Sequence, residues 1–169
     1  MKKLVFLSFS LLLAAACAST PRATASATLA PTSGNTASGT VTFAQMKNGM
    51  VEVTINLTGV PPGVHGFHIH DKGDCGDNGN AAGGHFNPNS SPHGAPTDAS
   101  HHAGDFGNIE ADANGNVNES KMLHGITVTP GSTSVVGHAV ILHASPDDLK
   151  TQPTGNAGAR IACGVVQAK

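Results

Sequence analysis

The sequence predicts an all-β domain, a sandwich or flattened barrel of about eight short antiparallel strands joined by two long loops. Three observations carry this. The 169 residues include 21 Gly and 10 Pro but only 12% charged and 4% aromatic residues, a balance that favours short strands and many turns. Residues 51–57 (Val-Glu-Val-Thr-Ile-Asn-Leu) alternate apolar and polar throughout, the period of a half-buried strand. No stretch shows a helical period, and turn signals recur between the apolar runs.

Taken in order, residues 1–16 read as an export leader. Lys2 and Lys3 give a positive start, residues 4–13 form an apolar run too short to span a bilayer, and Ala14 to Ala16 precede Cys17. This resembles a bacterial lipoprotein signal, in which Cys17 becomes the lipidated first residue. Ala14 stands where Leu is usual, so cleavage after Ala16 or Ala18 stays open. Either end implies export to the periplasm or cell envelope, with the membrane reached only through a lipid on Cys17. Residues 17–23 read as a flexible Ser/Thr/Ala/Pro tether, and residues 24–169 as the folded domain.

Strands are expected at 25–30, 40–45, 51–57 and 64–70. A structureless stretch from 71 to 104 follows, then strands at 105–111, 117–120, 126–129 and 137–143. A second loop covers 144–159, and a closing strand covers 160–167. A loop of more than thirty residues in a compact domain needs something to hold it, such as a disulfide or a metal. With Cys17 taken by lipid, Cys75 and Cys163 remain as an even pair, either bonded or two buried thiols. The net charge is −2, falling by two more if Lys2 and Lys3 leave with the leader. No basic patch is present, which excludes nucleic acid as a partner.

The long loop is dense in metal-binding side chains. His85, His93, His102 and Asp105 offer three nitrogens and a carboxylate, a set that suits a closed tetrahedral zinc site of structural kind. His68 and His70 lie two residues apart on one strand and so share a face, with His65 on the other. Together with His143 they form an all-imidazole set suited to Cu²⁺. His65, His101, His124 and His138 are expected to be ordinary structural or surface residues.

Four motifs then carry a resemblance: His65-Gly66-Phe67-His68-Ile69-His70, Gly84-His85-Phe86-Asn87-Pro88, His102-Ala103-Gly104-Asp105, and the run from Gly155 to Gly164. From about Thr24 to Gln167 the chain resembles the bacterial, exported copper–zinc superoxide dismutases. The resemblance implies a Greek-key β-sandwich, copper and zinc as cofactors, and superoxide as substrate. It assigns copper to His68, His70, His85 and His143, and zinc to His85, His93, His102 and Asp105, so that His85 bridges the two. It makes Asp147 the carboxylate joining the two sets of histidines. Arg160 becomes the anion-binding arginine, and His85 and Arg160 the catalytic residues. Cys75 and Cys163 become a disulfide. The second loop is shorter than in eukaryotic members and lacks their Glu- and Lys-rich segment, so that guidance of the anion either rests on Arg160 and Lys150 or is weak. A homodimer is compatible with the family, with no interface assigned. Two rival functions are a copper or zinc carrier without turnover and a surface-binding module; the absence of Trp and Tyr counts against the second.

Overall fold

The computed structural model describes residues 21–169. The leader, Cys17 and the first residues of the tether lie outside this range. Nine strands form: β1 Ala23–Pro31, β2 Ser38–Gln45, β3 Val51–Thr58, β4 Gly63–His70, β5 Asp105–Ala111, β6 Val117–Leu123, β7 Ala139–His143, β8 Arg160–Val165 and β9 Gln167–Ala168. The hydrogen-bonded order is β5-β4-β7-β8-β1-β2-β3-β6, with β9 added to β1, and every pairing between these strands is antiparallel. The excursions from β3 to β4 and from β6 to β7 skip neighbouring positions, which gives the Greek-key order inferred above.

Alternation decides which face each strand buries. Along β3, Val51, Val53, Ile55 and Leu57 point inward, and their solvent-side partners are polar. Phe106 packs against Phe43 and Phe67 in the core, with ring centroids 6.5 Å and 6.2 Å away. β4 and β7 differ from β3 because they are buried on both faces. Their inner residues Phe67, Ile69, Val140 and Leu142 join the main core. Their outer residues include His68, His70, Ile141 and His143, which lie beneath the two long loops.

Four expectations change. The segment 126–129 is not a strand; only an isolated bridge joins Thr127 to Ser134. Ile126 and Val128 are buried as their alternation implies, but the backbone bonds of this segment go to its own loop and to a side chain: Thr127 N–H to the Thr133 carbonyl, and Val128 N–H to Gln45 Oε1. The closing strand breaks at Val166, whose N–H bonds the His138 carbonyl, and the last residues then pair with β1 as β9. The first loop, expected to be structureless, contains two tight 3₁₀ turns over Asp77–Ala82, broken by the left-handed backbone of Asn78 and Gly79. β1 also starts at Ala23, taking in the last residue assigned to the tether.

Candidate metal centre

The outer face of β4 and β7 supplies three imidazoles to one place, His68, His70 and His143, and the first loop folds back to add His85. An isolated bridge between His70 and His85 fixes that return. One ring nitrogen from each of the four lies within 4.8 Å of those of the others, and all four residues are buried. His70 Nε2 and His143 Nε2 are 3.3 Å apart.

The second nitrogen on three of these rings is occupied. His68 Nε2–H donates to Asp147 Oδ2 at 2.8 Å, His70 Nδ1–H to the Gly83 carbonyl at 2.9 Å, and His143 Nδ1–H to the Gly158 carbonyl at 3.2 Å. Those bonds fix the tautomers and leave lone pairs facing inward. Two of the inward atoms, His68 Nδ1 and His85 Nε2, are buried with no hydrogen-bond partner. Burial pushes His68 down to about 4 and His143 to about 3, and takes His70 well below the ordinary imidazole range. These rings are therefore neutral at pH 7 and present lone pairs to a cation.

The second cluster joins His85, His93 and His102 to Asp105 at the start of β5. Asp105 Oδ1 lies 2.7 Å from His85 Nδ1, 2.9 Å from His93 Nδ1 and 3.2 Å from His102 Nδ1. His102 Nδ1 and His85 Nδ1 are 3.4 Å apart. Bonds of about 2.0 Å to a tetrahedral ion require donors about 3.3 Å apart, close to this spacing. His93 sits between two carboxylates, Nε2 3.0 Å from Asp147 Oδ1 and Nδ1 2.9 Å from Asp105 Oδ1; burial would lower this imidazole, but the two aspartates hold it above its ordinary value. With Nε2–H given to Asp147, Nδ1 can turn a lone pair to a cation beside Asp105. Burial alone would raise Asp105, but hydrogen bonds from His85 and from the Gly94 and His102 N–H groups hold it well below the carboxylate range.

Asp147 touches both clusters, reaching His68 with one oxygen and His93 with the other. Burial would raise its carboxyl, yet bonds led by that from His68 bring it to about 2. Its backbone is pinned from β5, where Asn108 donates to the Asp147 carbonyl at 2.9 Å and accepts from its N–H at 2.7 Å. Gln152 clamps the loops together in the same manner, accepting from the His93 N–H and donating to the His93 carbonyl, each at 2.8 Å. Neither Asn108 nor Gln152 stands out in the sequence. Gly155 has φ +67°, and a Cβ there would collide with Asp147 Oδ1 and His93 Nε2.

Arg160 pairs across β7–β8 with His143. Its guanidinium donates to the carbonyls of Gly79 and Gly83. Gly83 thus accepts from both Arg160 and His70, which ties the cation to the first cluster through one carbonyl. Cys75 and Cys163 are disulfide-bonded, with Cα atoms 5.7 Å apart. The bridge anchors the first loop to the strand that carries Arg160.

The sequence model of the copper/zinc superoxide dismutase (SODC) family matches residues 37–166, most of the chain. The chain belongs to the copper/zinc superoxide dismutase family. It is accordingly an oxidoreductase acting on superoxide with copper and zinc as cofactors, and the two His clusters fit such ions. Its fold is similar to that of the clock protein EA4, known from a crystal structure. The two are 37% identical, with 96% of this chain and 99% of that chain covered at a TM-score of 0.79.

The remaining histidines of the dismutase lie outside both clusters. His65 is buried with its two nitrogens 2.8 Å and 2.7 Å from the carbonyls of His143 and Pro61, which makes it a brace between β4 and β7. His138 packs on Phe86 with centroids 4.0 Å apart. His101 and His124 face each other at the surface. Asp148, next to Asp147, instead caps its own turn through Lys150 and Thr151.

Proposed function

We propose that the dismutase is exported and removes superoxide at the cell envelope, with copper on His68, His70, His85 and His143 and zinc on His85, His93, His102 and Asp105. The observation that carries the metal assignment is the pair of unpartnered buried nitrogens, His68 Nδ1 and His85 Nε2. A buried polar atom without a partner costs about 1–3 kcal/mol, and an ion between them removes that cost. The all-imidazole set favours tetragonal Cu²⁺, and the set with a carboxylate favours tetrahedral Zn²⁺.

When bound, copper supplies the one-electron couple that converts two superoxide anions and two protons into O₂ and H₂O₂, and zinc supplies order without redox chemistry. Arg160 draws in the anion; its bonds to Gly79 and Gly83 keep the guanidinium from swinging away. His85 can hold a proton on Nε2 because Nδ1 is committed to the Asp105 side, so the ring stays in place as the proton comes and goes. Asp147 acts as a positioning residue, fixing the tautomers of His68 and His93 together.

Export is supported by the leader pattern of Lys2, Lys3 and the apolar run before Cys17, and a disulfide between Cys75 and Cys163 suits an oxidising compartment. Residues 17–23 would then tether the domain of residues 24–169 to the membrane. Two measurements test the reading. Protein reconstituted with copper and zinc should consume superoxide, and protein with zinc alone should not; equal rates would defeat the metal assignment. Cells given labelled palmitate should label the wild type and not Cys17→Ser, and an unlabelled wild type would remove the lipid anchor.

A further inference from the structure

We propose that His101 and His124 form a third site for a divalent transition-metal ion, at the surface and separate from both clusters described above. Their ring centroids are 5.8 Å apart and their planes meet at 69°. That spacing falls among those of the ring pairs in the two buried clusters, which run from 4.1 Å for His68–His85 to 6.4 Å for His68–His70. His93 and His102, within one cluster, are 5.6 Å apart.

The hydrogen bonding of His101 selects one tautomer of the neutral ring. Its Nδ1–H donates to the His102 carbonyl at 2.6 Å, which leaves a lone pair on Nε2. His70 and His143 use the same arrangement, Nδ1–H to a backbone carbonyl, to present Nε2 inward. Among the described residues, neither ring nitrogen of His124 has a hydrogen-bond partner, so either can carry the lone pair that ligates.

The two rings line one cavity of about 160 Å³. Asn89, Ser91 and Ser100 add neutral oxygens to its wall, and no carboxylate lines it. Two imidazoles with neutral oxygens favour Cu²⁺, Ni²⁺ or Zn²⁺ and offer little to Ca²⁺ or Mg²⁺. The cavity also has room for the waters that would complete the coordination. His138 provides an internal contrast: its Nδ1–H bonds the Asp71 carbonyl in the same way, but its ring packs on Phe86 and meets no second histidine.

The test uses untagged enzyme with both clusters filled by copper and zinc, titrated with Ni²⁺ alone. Calorimetry should show one saturable site, and imidazole NMR signals of His101 and His124 should broaden ahead of all others. His124→Ala should weaken Ni²⁺ binding roughly tenfold or more while His138→Ala leaves it unchanged. Copper and zinc contents should stay at wild-type levels in both variants. Absence of a saturable Ni²⁺ site, or wild-type Ni²⁺ affinity in His124→Ala, would overturn the proposal.

Discussion

At the scale of single residues, Arg160 has the clearest separable role. It holds no metal in the proposed assignment, and its contacts are to carbonyls of the first loop. Arg160→Ala should therefore lower kcat/KM about tenfold or more at low salt while both metals are retained. Equal activity in the metal-loaded variant would remove the arginine from substrate capture. The buried histidines set a pH dependence of the metal-free protein. His68 and His143 titrate near 6.5 when unfolded but near 4 and 3 when folded, so across that window the unfolded chain binds more protons. Their contribution is complete above pH 6.5 and is lost as the pH falls toward 4. Asp147, held at about 2, adds a further loss below pH 4, and His93, raised by Asp105 and Asp147 against its burial, runs the opposite way. The urea midpoint of the metal-free protein should fall between pH 7 and pH 4.5; a flat profile would contradict these shifts.

At the scale of elements, β3 and β4 were legible because a period of two needs no partner to be seen. The spacing of His68 and His70 placed both on one face for the same reason. The segment 126–129 shows the limit of that signal: alternation reports which side chains are buried, whereas the backbone N–H groups here bond the Thr133 carbonyl and the Gln45 side chain. The Asn108–Asp147 and Gln152–His93 clamps were not legible at all. Each joins residues some forty to sixty positions apart, and an Asn in a strand or a Gln in a loop has no local pattern. The metal ligands were legible largely through the four family motifs, since spacing alone could not show that His85 serves two clusters. Because Gln152 is a two-point link between loops, Gln152→Ala should cost about 1–3 kcal/mol. Amide exchange should quicken in residues 144–159 and around His93, and unchanged exchange there would show the clamp to be dispensable.

For the whole molecule, the barrel and its outer loops have different sources of order. The barrel rests on one apolar core, while the loops that build the clusters rest on the disulfide, a small apolar cluster around it and a set of polar clamps. The Cys75–Cys163 bridge spans a sequence separation of 88, and the chain-entropy estimate for such a loop is about 4–5 kcal/mol. Replacing both cysteines by Ala should lower Tm by roughly 10 °C or more. Activity should fall further than stability alone explains, because Gly79 and Gly83 would no longer be held under Arg160. A double variant with wild-type Tm and rate would show that the bridge carries neither role.

His85 belongs to both clusters, and Asp147 joins a ring of one to a ring of the other. On the proposed assignment the two ions would share His85, and zinc bound first would hold in place the imidazole that copper needs. Whatever multiple zinc adds to the affinity for copper, copper must return to zinc. Copper titrations with and without zinc should differ by that multiple, and equal affinities would show that the common ring transmits nothing.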